Sequence, residues 1–540
     1  MDKRTLLAIV LSLIIVMAYQ YLFIKPVPKE QQPATSVQET EDGTQKIEEA
    51  PTETQLDETF RTPLVKKNDE KTIGEIVHVE TPLYSAMLST KGAALTSFKL
   101  RKYQKELESE SGLIELVNLK EEMVSPLSIT FPKSSIDVSP EVLYETDTVR
   151  VDLTEKLAEE TIIFSKIYPG EIKIEKIFTF NSERYTFDLE VRVHNLSQER
   201  IKQNTLLSWK QYVDPEVKTN RYSHEGPVSY VKSKLDTEKT KKLDEPKVRG
   251  PDVSWAGFEK KYFVAAIIPQ QPSLTNLIMS KDAQNLVSID LEGPKNIILP
   301  GQFGTYGYTL YLGPKEYATL KAEGVGLENS INFGSWLKWL ALPLLTALKY
   351  AYQYAQNYGM AIIILTLLIK IVLWPLGNIS YKSMKEMQKL QPKIKEIQER
   401  HKDDKGKMNQ EVMALYKTYK VNPMSGCLPI LVQLPVFLGL YKALLYSIEL
   451  RHAPFYLWIH DLSAKDPYYI TPLVMGATMF LQQKMSPTPG GDQMQAKMMM
   501  WMPVIFTFMF LNFPSGLVIY WLFNNIISIG QQYYVNKRKS

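Results

Sequence analysis

Lys370 is a lone cation in an apolar run, residues 359–376. Gly359, Thr366, Lys370 and Gly377 follow at spacings of 7, 4 and 7, which places all four on one face of a helix. Near the C-terminus, Tyr520, Asn524, Ser528 and Gln532 fall four apart and mark a polar stripe on a second apolar helix, while Gln433 and Thr478 add neutral hydrogen-bonding groups to two more. No Asp or Glu lies in any of these runs. A cation at mid-membrane costs about 2.5–3.5 kcal/mol on insertion scales unless water or a partner reaches it. The pattern predicts a wet, weakly positive groove built from Lys370, Thr366, Gln433, Tyr520, Asn524 and Ser528. The plainer alternative is that Lys370, five residues before Pro375, snorkels to headgroups.

A solute transporter would need carboxylates for ion coupling and often shows repeated halves with broken helices, neither of which is present. One cation among neutral polar walls suits a passing polypeptide better, cradling its polar or acidic residues while its apolar segment leaves into lipid. The chain has a single cysteine, Cys427, and shows no GxSxG elbow and no Walker loop. The reading therefore assigns no catalytic residue, no metal site and no cofactor.

Six apolar runs must position these groups: 1–24, 359–376, 425–445, 469–483, 498–512 and 517–535, the last followed by a basic tail, 536–540. Thr5 to Ile24 is uncharged, follows Lys3 and Arg4, and ends without a small-residue cleavage site, so it reads as an uncleaved anchor. The runs near 469 and 498 are shorter than the ~20 residues a bilayer asks for. Between Tyr381 and Val421 there are 11 Lys plus Arg against 6 Asp plus Glu, which makes that loop cytoplasmic by the positive-inside rule. The expected topology is multi-pass, with both termini cytoplasmic and the large domain outside. Within the basic segment, 377–424, Met384, Met387, Leu390, Ile394 and Ile397 mark one helical stripe and Met408, Val412, Leu415 and Tyr419 another, predicting an antiparallel helical hairpin. Its Lys393, Lys395 and Lys402 lie away from that seam and are candidates for docking.

The formal net charge of +4 hides an acidic middle: Lys25 to Ser335 carries −9 and the flanks +13. Residues 25–70 begin with a stretch rich in Glu, Gln, Thr and Pro and read as a flexible linker. From 71 to 325 the period becomes two. Tyr185, Phe187, Leu189, Val191 and Val193 alternate with polar residues, and Ile172, Ile174, Phe178 and Phe180 form the preceding strand of a hairpin. This is an all-β, sandwich-like domain. Its histidines, His78, His194 and His224, are scattered and read as structural. Residues 326–358, with Trp336, Trp339, Leu340 and Leu344, suggest an amphipathic helix at the outer interface.

Several long segments resemble the YidC membrane protein insertases: LQPKIKEIQER (Leu390 to Arg400), MALYKTYKVNPMSGCLPILVQLPVFLGLYKAL (Met413 to Leu444), LRHAPFYLWIHDLSAKDPYYI (Leu450 to Ile470), and MPVIFTFMF followed by FPSGLVIYW (Met502 to Trp521). WAGFEKKYF, Trp255 to Phe263, is similar to the β domain of the form with a large periplasmic domain. The resemblance implies a mutarotase-like β-supersandwich, an inner-membrane location, and insertion of nascent membrane proteins into lipid alone or beside the Sec translocon. Ribosomes and targeting factors would then be partners of the basic hairpin, and DNA would not be a partner. Carried over by position, Thr366, Lys370, Tyr520 and Trp521 look like the groove residues that meet substrate. The family usually has Arg at the position of Lys370, so a bidentate fork is replaced by a point charge. A second function class, a membrane-anchored periplasmic sugar-binding or epimerising protein, rests on the β domain alone.

Overall fold

The computed structural model describes residues 74–119, 125–214, 224–334, 336–401, 404–419, 421, 428–486 and 493–537. The anchor expected at 1–24, the linker expected at 25–70 and Lys402 lie outside the described residues. Two compact units are present. The larger holds the described residues up to Ser380 together with 428–485 and 503–537; the smaller holds those of 381–421, Ser486 and 493–502.

In the larger unit the alternating segments become strands in sheets of five, five and eight. Strand Ile172–Asn181 pairs antiparallel with Thr186–Asn195, Ile172 opposite Asn195 and Phe180 opposite Phe187, and burial alternates strictly along the first strand. Because strand side chains point to opposite faces in turn, Ile174, Phe178, Phe180, Leu189 and Val191 all enter the core. Phe180 stacks on Phe187 at 4.9 Å and Phe164 meets Phe178 edge-on at 5.7 Å. Each such ring, fully buried, stabilises by about 1.5–3 kcal/mol. One buried position of the strand is not apolar. Lys176 points inward with the aromatics, fully buried, and its ammonium donates to the carbonyls of Gly92 (2.8 Å), Ala93 (2.6 Å) and Leu127 (2.6 Å). Three donors meet three acceptors, so the buried charge is solvated by backbone dipoles.

A short helix α1, Tyr317–Ala322, leads from the sheets to α2, Lys338–Ala355. Ala341, Leu344, Leu345, Leu348 and Ala351 form the buried face of α2, while Trp339, Tyr350 and Tyr354 are exposed. Helix α3 covers Tyr358–Arg400, 43 residues. It thereby joins what the sequence divides into a span ending at 376 and the first arm of a hairpin. Among the described residues it is the one helix long and apolar enough by itself to cross a membrane. There follow α4, Lys405–Thr418, α5, Leu428–Tyr446, α6, Ile470–Met485, α7, Gln493–Phe510, and α8, Ser515–Lys537. Helices α2 and α5 approach closely at Gly439, where a methyl group would lie 3.1 Å from Leu340. Residues after α5 knit the helices together: Ser515 N–H donates to Ala464 O (2.7 Å), and the buried Asp466 accepts from Trp458 Nε1 (3.0 Å) and the backbone N–H of Thr471 (2.7 Å) at the start of α6.

In the smaller unit, Met387, Leu390 and Ile394 of α3 pack with Val412 and Tyr416 of α4, with Ile397 and Leu415 beside them. The seam takes Tyr416 where the sequence suggests Tyr419. Tyr419 lies outside it, with the Lys393 ammonium 4.6 Å from its ring centre and donating to its hydroxyl. Asp404 caps α4 by accepting from Lys407 N–H at 3.0 Å.

Candidate functional site

Helices α3 and α8 run side by side in the larger unit. Lys370 is 9% exposed, and its ammonium donates to Ser528 Oγ at 2.7 Å. The Ser528 hydroxyl in turn donates to the carbonyl of Asn524, one turn back on α8, at 2.7 Å. With its proton committed there, Ser528 can offer Lys370 only lone pairs, so the hydroxyl is fixed as an acceptor for the cation. Among the described residues, no carboxylate is within ion-pair distance of Lys370. A neutral hydroxyl orients the ammonium without neutralising it.

Thr366, one turn before Lys370 on α3, is 1% exposed and returns its hydroxyl to Ile362 O at 2.7 Å. Asn524 and Ser528 are also buried. The predicted set thus divides. Lys370, Ser528, Asn524 and Thr366 occupy the α3–α8 seam, whereas Tyr520 and Trp521 belong to an aromatic cluster. Trp521 meets Phe437 of α5 edge-on at 4.7 Å and lies 5.2 Å from Phe510. Tyr520 stacks on Phe437 at 6.4 Å and is 1% exposed, with its hydroxyl beside Gln433 but without a hydrogen bond of ordinary geometry. This packing, rather than a polar cavity, is what Tyr520 presents in the free protein. Lys393 and Lys395 are exposed in the smaller unit. Among the described residues, no group of three or more His, Cys, Asp or Glu side chains is arranged to hold a metal ion.

Beside Gln532 of the expected stripe, two further polar residues of α8, Asn525 and Gln531, take part. Gln531 Nε2 donates to Trp374 O and to Asn378 Oδ1 of α3, each at 3.0 Å. On the other flank, Asn525 Nδ2 reaches Thr478 Oγ1 of α6 at 3.3 Å and Gln532 Nε2 reaches Met485 O at 2.9 Å. The signal was present in the doublets Asn524–Asn525 and Gln531–Gln532, seven apart. Adjacent helical residues differ by about 100°, so paired polar residues mark a helix touching two neighbours rather than one.

A long apolar helix, with a buried, hydrogen-bonded cation between it and a polar-striped helix, and a large β domain beside them are the architecture expected of a membrane protein with a soluble domain. Residues 350–540 match the family described as "60Kd inner membrane protein", and residues 76–347 match the "YidC periplasmic domain". A protein from Syntrophus aciditrophicus described as "Membrane protein insertase YidC" is 58% identical, with all of both chains covered. One from Geobacter metallireducens with the same description is 42% identical over 99% of this chain and 98% of its own. Among solved structures, "Active YidC insertase crystal structure with the first transmembrane domain resolved" is similar at 21% identity and a TM-score of 0.38, covering 86% of this chain and 95% of that one. The chain belongs to the YidC family of membrane protein insertases.

Proposed function

We propose that this protein inserts and helps fold integral membrane proteins, with nascent membrane proteins as its substrates. The full-length likeness to relatives described as insertases supports this reading and disfavours a sugar-binding or epimerising role, which would need only the β domain. The proposed topology has six spans, with both termini and the α3–α4 helix pair cytoplasmic and the β domain periplasmic; the basic surplus of 381–421 and the basic tail support it. On the same reading, Lys393, Lys395 and Lys402 would meet ribosomes or targeting factors, and the Sec translocon would be a partner in the membrane.

The observation that carries the mechanism is the contact between Lys370 and Ser528. A client's polar tail must pass hydrocarbon, where an uncompensated carboxylate costs several kcal/mol. A cation held by a hydroxyl lowers that cost by attraction, about 4 kcal/mol for a contact pair at an effective dielectric near 20 and less where water enters. Thr366, Gln433, Asn524 and Ser528 would hydrogen-bond neutral tails, and Tyr520 and Trp521 would pack against the apolar segment once the aromatic cluster opens.

Insertion by Lys370 variants in proteoliposomes tests this, using clients that differ only in tail charge and protease protection as the readout. Lys370→Arg is expected to retain activity, Lys370→Ala to fail for acidic tails while neutral tails insert almost normally, and Lys370→Glu to be at least as poor as Ala. Equal losses for both clients would overturn charge capture.

A further inference from the structure

We infer that Gln531 is a positioning residue: its amide keys α8 to α3 at the notch left by Gly377 and so holds Ser528 against the Lys370 ammonium. This rests on the groove reading above and goes beyond it, because Gln531 itself need not touch substrate. The two α3 acceptors, Trp374 O and Asn378 Oδ1, flank Gly377 in sequence, and one amide nitrogen serves both. Both of its N–H donors are thereby used. The side chain is 3% exposed, and a methyl group at Gly377 would come within 2.6 Å of Nε2 and 2.9 Å of Oε1. The absence of a side chain at 377 is what lets the amide in.

The joint lies one helical turn from the cation, and the two contacts share a register. Gln531 is 157 positions from Trp374 and 153 from Asn378, and Ser528 is 158 from Lys370, so the offsets stay within about a turn and a half. Parallel helices in step keep such an offset nearly constant. A slide of α8 by a single residue, about 1.5 Å with a turn of 100°, carries Ser528 off the Lys370 face. Lys370 has no other hydrogen bond among the described residues to hold its ammonium in place.

Gln531→Leu keeps the volume and removes both donors. Gly377→Ala reaches the same end by another route, since the flexible amide can escape the new methyl only by giving up its two bonds. Each full-length variant is to be assayed in proteoliposomes with the paired acidic-tail and neutral-tail clients. The expected result in both is an acidic-tail loss of about tenfold, the factor a single buried hydrogen bond is worth, with the neutral tail, which Thr366 and Gln433 on other helices still serve, changed less than twofold. Equal losses for the two tails, or none, would overturn the positioning role. A second readout separates this from failure of the groove reading. Ile362 and Gly516 are close across α3 and α8, with a methyl at 516 falling 3.2 Å from Ile362 Cδ1. On a Cys427→Ser background, oxidative cross-linking of Ile362→Cys with Gly516→Cys reports register without any client. The cross-link yield is expected to drop in Gln531→Leu and Gly377→Ala but not in Lys370→Ala. Unchanged yield in the first two overturns the inference even if Lys370→Ala behaves as proposed, and loss of the tail-charge split in Lys370→Ala with altered cross-linking in Gln531→Leu overturns the groove reading alone.

Discussion

Lys349 of α2 lies 3.1 Å from Glu316, at the end of the β domain, and pairs on its other side with Glu449, which follows α5. One ammonium therefore ties three parts of the chain together. Arg451 adds a second tie, donating to Gln104 O (2.5 Å) and Lys105 O (2.8 Å) with its guanidinium 5.7 Å from the Phe263 ring centre. The β domain is joined to the helices of the larger unit by polar clamps as well as by covalent connection.

Burial by itself would depress the Lys349 ammonium, but Glu449 and Glu316 outweigh it and hold the group above its ordinary range; burial likewise pushes Glu316 up, and Lys349 brings it below the usual carboxylate range. A raised base contributes stability that is complete below its unfolded value and lost as pH rises through its folded one. A lowered acid contributes stability present above its unfolded value and lost as pH falls through its folded one. The clamp is accordingly expected to be intact from about pH 5 to 10 and to weaken at both extremes. Lys349→Met strands two carboxylates facing each other. It should cost about 1–2 kcal/mol, less than a fully buried pair because Lys349 and Glu316 are each near one-third exposed, although Glu449 is more buried. Thermal unfolding followed by tryptophan fluorescence would show the drop, and Lys349→Arg should recover most of it.

Lys176 makes a different pH prediction. Burial pushes its ammonium down to about 7 in the folded protein, so above that pH the site holds a neutral amine with two donors for the three carbonyls. The unfolded chain then binds more protons between pH 7 and about 10.5, so β-domain stability should rise with pH across that window, by at most ~1.4 kcal/mol per pH unit. Lys176→Met abolishes the slope. It also leaves the carbonyls of Gly92, Ala93 and Leu127 without this donor, at about 1–3 kcal/mol for each one left unsatisfied. Denaturant unfolding at several pH values separates the two effects; an identical slope in wild type and variant would remove Lys176 from the account.

The same residue shows where sequence reading stops. The hairpin Ile172–Asn181 with Thr186–Asn195 was legible because apolar residues on alternate positions force one face inward. The alternation gives no sign of Lys176's role, since its three acceptors come from turns 49 to 84 positions away. Lys370 was legible as a lone charge in an apolar run, yet Ser528, 158 positions on, could be named as a polar residue but not as its partner. Tyr520 shares a stripe with Asn524 and Ser528, and spacing along one helix gave no sign that Phe437 from another would cover it. Helix α3 passes Pro375 and Gly377, which read as an ending. Proline removes a single intrahelical bond, and Gln531 adds side-chain bonds on either side of Gly377.

Lys393 is pinned: its ammonium lies over Tyr419 and donates to the Tyr419 hydroxyl, so meeting a partner would mean giving up that contact. Reversal of Lys395 to Glu should therefore weaken salt-sensitive association with ribosomes at least as much as reversal of Lys393, which also unpins Tyr419. Neither change touches the seam of Met387, Leu390, Ile394, Val412 and Tyr416, and helicity should persist. Cosedimentation with ribosomes across a salt series, alongside circular dichroism, checks both statements. Binding by Lys395→Glu equal to wild type at low salt would leave this surface without a docking role.

The proposed topology puts α4 and the loop between α5 and α6 on opposite sides of the membrane, and the structure indicates where to place reporters. Asp461 is a poor choice, because it accepts from the backbone N–H groups of His452 (3.1 Å) and Ser463 (2.7 Å), and its removal would loosen the loop under test. His460 next to it is exposed. On α4, Lys407 is exposed and meets Asp404 only through its backbone N–H, so a cysteine there keeps the cap. With Cys427→Ser removing the one native thiol, a membrane-impermeant maleimide applied to intact spheroplasts should label His460→Cys and spare Lys407→Cys. Inverted vesicles should reverse the pattern. Labelling of Lys407→Cys from outside would require an odd number of crossings between the basic segment and its assigned side, and the six-span arrangement would fall with it.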